Sequence, residues 1–167
     1  RRTLEAIWAT HLRGPELVLN LDVHTGLGPN GQLTLFQTAD ADEPAAHIAA
    51  GTAMNDLARE SGVVVLYPGQ STKANPSRCW NWFKHNHQRR GRGEPELLAG
   101  MTREVMQRFA IDPQRVYVAG LSAGGAMAAI LGDAYPDLYA AVGVHSGLPT
   151  GAASDIKTAF SAMKGGA

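Results

Sequence analysis

Four short runs of apolar, largely β-branched residues alternate along this chain with longer stretches of helical periodicity. The runs are Leu17–Leu21, Val63–Tyr67, Val116–Ala119 and Ala140–Val144. Because they show little polar alternation, they favour strands that are buried on both faces of a parallel sheet. Apolar residues three and four positions apart predict helices near 3–13, 47–60, 96–110, 123–135 and 154–163. This order of elements predicts an α/β fold with a mostly parallel sheet of four or five strands.

Length and charge limit the classes of function. The chain has 167 residues, which suits a single domain over 1–167, and its 15 Lys+Arg balance 15 Asp+Glu. A net charge of zero gives no overall attraction to nucleic acid or to an anionic membrane, and no apolar run is long enough to span a bilayer. The first residues show no signal-peptide core, so we expect either a removed leader or a part of a longer protein, and the localisation is left open.

The segment Val116–Met127 carries the most specific motif. Gly120-x-Ser122-x-Gly124 follows an apolar run and precedes a stretch of small, helix-compatible residues. A serine on a strained turn from strand to helix stands above the sheet as a nucleophile, and the glycines leave room for it. The N–H of Ala123 at the helix start is then a candidate oxyanion donor. The alternative is an ordinary tight turn whose serine caps the helix.

Several segments together resemble the polyhydroxybutyrate depolymerase and feruloyl esterase group of α/β-hydrolases over about residues 37–167. The resembling segments are 50–58, Tyr67–Gln70, Cys79–Phe83, Arg115–Gly125 and His145–Gly147. The resemblance implies a secreted carboxylic-ester hydrolase with a Ser-His-Asp triad and no cofactor. It also implies a reduced form of the three-layer α/β-hydrolase sandwich, because the part that carries the triad acid and histidine is missing. A disulfide from Cys79, usual in the family, lacks its partner, since this is the only cysteine.

The residues after Ser122 leave the rest of the triad open. His145 is the only later histidine, and it follows a strand whose carboxyl end should lie at the same sheet edge as Ser122. We therefore take His145 as the candidate base and Asp155 as its candidate orienting acid. The alternatives are a structural role for His145 and a place for Asp155 in the first turn of a helix.

Aromatic residues in the long loop near 70–95 are candidates for substrate binding. Trp80 and Trp82 would flank the acyl or aromatic part of an ester, and the alternative is that they pack the loop onto the core. His85 and His87, with arginines after them, favour a solvated polar loop over a metal site.

The first third of the chain fits the resemblance less well. Residues 17–31 resemble a strand-end motif of zinc carboxypeptidase-like proteins, so an origin of 1–36 in a different family is one prediction. His24 and Asp22 supply too few ligands for a catalytic zinc site, and we expect no metal. Thr25 is instead a candidate second oxyanion donor, through its backbone N–H.

A sheet that stops after its last strand leaves an edge and an apolar face uncovered. Such surfaces commonly pair with another chain, which predicts a homodimer or a higher homo-oligomer. Together the patterns predict a hydrolase of small or polymeric carboxylic esters with Ser122 as nucleophile. The alternative is a non-catalytic remnant that binds a ligand or a partner without turnover, and a metallopeptidase-like protein is a third hypothesis.

Overall fold

A computed structural model describes residues 63–165, together with the backbone of the strand at 18–23. The strands are β1 (Val18–Val23), β2 (Val63–Leu66), β3 (Val116–Leu121) and β4 (Ala141–His145). The helices are α1 (Gly93–Phe109), α2 (Ala123–Ala134) and α3 (Ile156–Met163), with one 3-10 turn at His85–His87. The helices predicted near 3–13 and 47–60 lie outside the described residues.

The four described strands form one parallel sheet in the order β2-β1-β3-β4. In β1, Leu19 pairs with Val64 of β2 on one side and with Val116 of β3 on the other. On the far side of β3, Leu121 pairs with His145 of β4. All the carboxyl ends therefore open on one edge, as the alternating pattern predicts for a parallel sheet.

Helix α2 packs against β3 and β4, helix α1 packs against α2, and both helices contribute to the core. Leu98, Val105, Met127 and Leu131 are among its fully buried side chains. Helix α1 begins three residues earlier than its periodicity predicts and ends in a left-handed residue, Ala110 (φ 49°), whose N–H donates to the carbonyl of Met106. No described helix is both long and apolar enough to cross a membrane.

Strand β4 differs from its sequence-based prediction. Its apolar run predicts burial on both faces, yet all five residues are exposed. The reason is its position: β4 is the outermost described strand, and β3 is its only partner in the described sheet. Six large apolar side chains are exposed among the described residues: Val142 and Val144 on β4, Leu121 on β3, and Ile156, Phe160 and Met163 on α3.

Candidate active site

Ser122 stands between β3 and α2 in a backbone conformation that few L-residues adopt. Its φ is 56° and its ψ is −118°, and the residue is exposed. A non-glycine residue at positive φ carries strain that the surrounding structure must hold. Two backbone hydrogen bonds do so: the Ser122 N–H donates to the carbonyl of His145 (2.9 Å), and the Ser122 carbonyl accepts from Ala126 (3.0 Å). The predicted strand-turn-helix setting of Ser122 is therefore present.

Two glycines let the chain pack tightly around this turn. A Cβ on Gly125 would lie 2.9 Å from the carbonyl oxygen of His145 and 3.0 Å from that of Gly120. A Cβ on Gly147 would lie 2.5 Å from the backbone nitrogen of Ala126. These contacts are closer than van der Waals packing allows, so helix α2 can approach the ends of β3 and β4 only because both positions lack a side chain.

Ala123 is the first residue of α2 and is buried. The first N–H groups of an α-helix have no intrahelical acceptor and carry partial positive charge. The Ala123 N–H therefore belongs to the end of the helix that attracts an anion, directly after Ser122. Thr25, the other predicted oxyanion donor, lies outside the described residues.

His145 ends β4 beside Ser122 along the sheet edge. Its backbone contacts the serine through the hydrogen bond described above, while its side chain is exposed. The imidazole Nδ1 lies 3.0 Å from the hydroxyl of Ser146, a residue that also has a positive φ of 52°. None of the hydrogen bonds between described residues joins the His145 side chain to the Ser122 hydroxyl, so its role as base stays a prediction.

Asp155 is the N-cap of helix α3. Its carboxylate accepts from the Thr158 N–H (2.8 Å) and the Thr158 hydroxyl contacts the Asp155 N–H in return, which forms a capping box. These hydrogen bonds lower the pKa of Asp155. The contacts described for Asp155 do not include His145, and they match the alternative given above, a residue in the first turn of a helix.

Both predicted substrate-binding tryptophans are part of the core. Trp80 is 0% exposed and Trp82 is 6% exposed, and both lie in the cluster of buried apolar side chains. The Trp82 ring also makes an edge-on contact with Phe83, at 5.8 Å between centroids. This burial corresponds to the second possibility for these rings, packing of the loop onto the core, and a substrate contact by Trp80 would require that packing to open.

Glu94, in the first turn of α1, holds the long loop together and was not singled out by the sequence analysis. It is 5% exposed, and its Oε1 accepts from the side-chain amides of Gln70 and Asn81, at 2.6 Å each. Its Oε2 accepts from the Asn81 backbone N–H at 2.7 Å. One sequence signal points to Glu94: it is the first acidic residue after a long stretch that contains no Asp or Glu, and it lies at the start of a helix.

The charge state of Glu94 follows from these partners. Burial acts to raise its pKa, but the neighbouring His87 and the hydrogen bonds from Asn81 outweigh it and hold the pKa below the usual carboxyl value. His87 Nδ1 lies 3.3 Å from Glu94 Oε2, without a well-aligned hydrogen bond to any described partner. The prediction of a solvated loop fits the exposed His85, whereas His87 is largely buried against the carboxylate.

The loops after β2 and β4 meet at this edge of the sheet. Gln88 donates from its side-chain amide to the carbonyl of Trp82 (2.9 Å) and to that of Ala153 (2.7 Å).

Burial raises the pKa of the Cys79 thiol, which forms no disulfide with a described residue. Within the part of the chain that the structure describes, no three His, Cys, Asp or Glu side chains are grouped as metal ligands would be.

Comparisons with known proteins agree with this geometry. The family profile described as esterase PHB depolymerase matches residues 33–167. A poly(3-hydroxyalkanoate) depolymerase C from Paucimonas lemoignei is 33% identical over 144 residues, which are 86% of this chain and 34% of that protein. A feruloyl esterase B from Thermothelomyces thermophilus is 30% identical over 111 residues, 66% of this chain and 37% of that protein. The chain thus spans about a third of the length of these relatives.

Among solved structures, an acetyl xylan esterase from Aspergillus awamori is similar in fold. Its TM-score is 0.68 at 21% identity, covering 88% of this chain and 47% of that one. This neighbour identifies the parallel sheet and its helices as part of an α/β-hydrolase fold, as predicted. The predicted resemblance over 37–167 is likewise confirmed, and the separate origin of 1–36 stays a prediction. By its match over most of its length, the chain belongs to the esterase PHB depolymerase family.

Proposed function

We propose that this chain supplies the nucleophile of a carboxylic-ester hydrolase, with Ser122 as the attacking residue. The observation that carries the proposal is the strained, exposed serine between β3 and α2, at φ 56°. Strained backbone costs free energy and clusters at functional sites, and at a strand-to-helix turn the residue so held is commonly a nucleophilic serine. Membership of a family of esterases supports the same chemistry.

The reaction follows from the groups around the serine. The Ser122 hydroxyl adds to the ester carbonyl and passes its proton to a base, while the carbonyl oxygen becomes an oxyanion near the N–H of Ala123. Collapse of this intermediate expels the alcohol, which takes up the proton from the base. Water then attacks the acyl-serine with the same base and releases the carboxylic acid.

His145 is the candidate base, and its contact with Ser146 bears on its tautomer. If Nδ1 carries the ring proton and donates a hydrogen bond to the Ser146 hydroxyl, Nε2 has a free lone pair that can accept a proton from Ser122. Ser146 would then perform the orienting task that an acid performs in other hydrolases. Asp155, the acid predicted from sequence, is the alternative to Ser146 for this task. Thr25 stays in the proposal as the second oxyanion donor, and Trp80 and Trp82 stay as substrate contacts.

Hydrolysis of p-nitrophenyl butyrate tests the proposal with three proteins: the parent, Ser122→Ala and His145→Ala. We expect Ser122→Ala to lose activity by about a thousandfold or more, because the nucleophile is gone. A large loss in His145→Ala would assign the base. Equal rates for the parent and Ser122→Ala would reject Ser122 as the nucleophile.

A second candidate function is binding without turnover. It is favoured by one observation: among the described residues, His145 contacts no carboxylate, so no described acid completes a triad. A fluorophosphonate probe separates the two functions, since only an activated serine reacts readily with it. Labelling of Ser122 supports the hydrolase, and an unlabelled, folded chain supports the non-catalytic alternative.

We also propose that the exposed edge at β4 joins two copies of this chain. Support comes from the five exposed residues of β4, which include Val144 at 48% exposure, and from the exposed apolar side chains of α3, which include Phe160 at 57% exposure. Light scattering after size exclusion should show at least a dimer, and Val144→Lys should shift it toward monomer. A monomer at micromolar concentration for the parent chain would contradict the proposal.

A further inference from the structure

The long loop between β2 and α1 concentrates positive charge. Residues 70–93 contain six Lys and Arg and no Asp or Glu, although the whole chain has 15 of each kind. The six cations are Lys73, Arg78, Lys84, Arg89, Arg90 and Arg92. The rest of the chain is therefore net negative, and the overall neutrality conceals a basic loop.

Within residues 63–165, one of these cations is held by an ion pair with an acidic side chain. Arg90 pairs with Asp137 and also lies over the ring of Tyr135. For the other five, the ion pairs of the described residues supply no partner. Arg78 is half-buried and the other four are exposed. Six cations on one loop without an acidic residue among them raise the local potential and attract anions.

The loop is folded rather than extended, which keeps these charges together. The buried carboxylate of Glu94 accepts hydrogen bonds from the side-chain amides of Gln70 and Asn81. These bonds close the loop into two lobes. Gln88 fixes the second lobe to the carbonyl of Ala153, in the segment that follows β4. The cations thus lie on a scaffold that needs little further ordering to bind a ligand.

The same anchors relate the loop to Ser122. The loop leaves the carboxyl end of β2, and the segment with Ala153 leaves the carboxyl end of β4, on the edge where Ser122 stands. A polymer held on the basic loop would therefore run along the edge that carries the nucleophile.

We propose that the basic loop, residues 70–93, binds the carboxylates of an acidic polysaccharide whose ester groups are presented to Ser122. The cations are spaced along the loop, which suits a chain with one charge per sugar better than a single compact anion. Stacking on nucleobases or insertion into a membrane would require the buried indoles of Trp80 and Trp82 to leave the core, whereas the carboxylates of a polysaccharide need only the exposed cations. The proposal rests on the proposed function, because it names the substrate class of that site.

Binding to polygalacturonate, measured by calorimetry on the Ser122→Ala protein, tests the loop without the need for turnover. A neutral dextran of similar length is the matched ligand. We expect saturable binding of polygalacturonate that weakens strongly between low salt and about 0.5 M NaCl, where exposed charges are screened within a few ångströms. Dextran should not bind.

The double variant Arg89→Gln/Arg92→Gln should weaken this binding by about tenfold, since exposed charge pairs contribute modestly each. The control Arg108→Gln/Lys164→Gln removes two exposed cations outside the loop and should leave it unchanged. Equal losses in both variants would overturn the proposal, as would duplex DNA or anionic lipid vesicles that bind as tightly as polygalacturonate. If the parent chain binds polygalacturonate but hydrolyses no ester, the proposed function is rejected and the loop is still a polyanion site.

Discussion

Ser122 and Glu94 lie in two regions at one edge of the sheet, and the two regions are held by opposite means. Around Ser122 the chain is built from small residues, and its strained backbone is held by close backbone packing at Gly125 and Gly147. Around Glu94 a long loop is held by one buried carboxylate and the amides of Gln70 and Asn81. The first region leaves its hydroxyl exposed for chemistry, whereas the second withdraws its polar groups from water.

The two regions are therefore sensitive to different substitutions. A packing-based turn fails when a side chain gains volume, because backbone atoms cannot move aside. A buried polar network fails when one member is removed, because the remaining donors lose their acceptor and stay desolvated. An added methyl group should therefore damage the Ser122 turn most, and the removal of a polar group should damage the Glu94 region most.

The largest expected effect is that of Glu94→Ala. It removes the nearest acceptor of the Gln70 amide and of both Asn81 donors, which leaves the two side-chain amides only longer contacts to Cys79 and Ala74. We expect a cost of about 3–5 kcal/mol in the free energy of unfolding, since several buried donors lose their partner together. Glu94→Gln keeps the volume and one acceptor oxygen and should cost less than half as much. Urea denaturation measures both, and equal costs would mean that charge and hydrogen-bond pattern do not govern the loop.

Next in size is Gly147→Ala, which adds one methyl group 2.5 Å from backbone atoms of the turn. We expect a destabilisation of about 1–3 kcal/mol, with a loss of esterase activity because Ser122 is displaced. Gly100→Ala in α1 is the matched control, since nothing lies within 4 Å of its added Cβ. The control should gain about 0.5–1 kcal/mol from helix propensity. If both variants behaved alike, close packing would not be what holds the turn.

The two regions also differ in how far sequence predicts them. The turn at Ser122 depends on contacts within a short motif and one neighbouring strand, so Gly120-x-Ser122-x-Gly124 with its apolar run predicts it. Glu94 depends on partners up to 24 residues away, and such pairing leaves no periodic pattern. The bounds of the four described strands were predicted to within a few residues for the same reason as the turn, because strand patterns are local.

The burial of the last strand was the other property that its apolar run did not predict, although an uncovered edge after that strand was expected. The run Ala140–Val144 has the composition of a buried strand, yet burial depends on which strand lies beside it, and the described sheet has β4 at its edge. Trp80 is the opposite case, a residue of a loop that is fully buried. An aromatic residue in a loop is compatible with a groove or with a core, and only the tertiary packing decides between them.

Acid should weaken the Glu94 region before it affects the Ser122 turn. The folded-state pKa of Glu94 lies below its unfolded value, so its contribution is complete above the unfolded pKa and is lost as the pH falls through the folded one. We expect the difference in unfolding free energy between the parent and Glu94→Gln to shrink as the pH falls below about 4.3, the ordinary Glu value. Asp155, whose pKa is also lowered, cancels in this difference. A difference independent of pH would show that Glu94 does not titrate in this range.

The smallest expected effect is that of Asp155→Asn, and it is informative because it is small. Asparagine caps a helix about as well as aspartate, so α3 should keep its stability if capping is the task of this residue. As the orienting acid of His145, Asp155 would be indispensable: the same substitution in a serine-histidine-aspartate triad lowers kcat by about ten-thousandfold. Thermal unfolding and p-nitrophenyl butyrate hydrolysis, measured on one preparation, distinguish the two roles. Unchanged stability and rate would limit Asp155 to α3, and a collapse of the rate alone would return it to the active site.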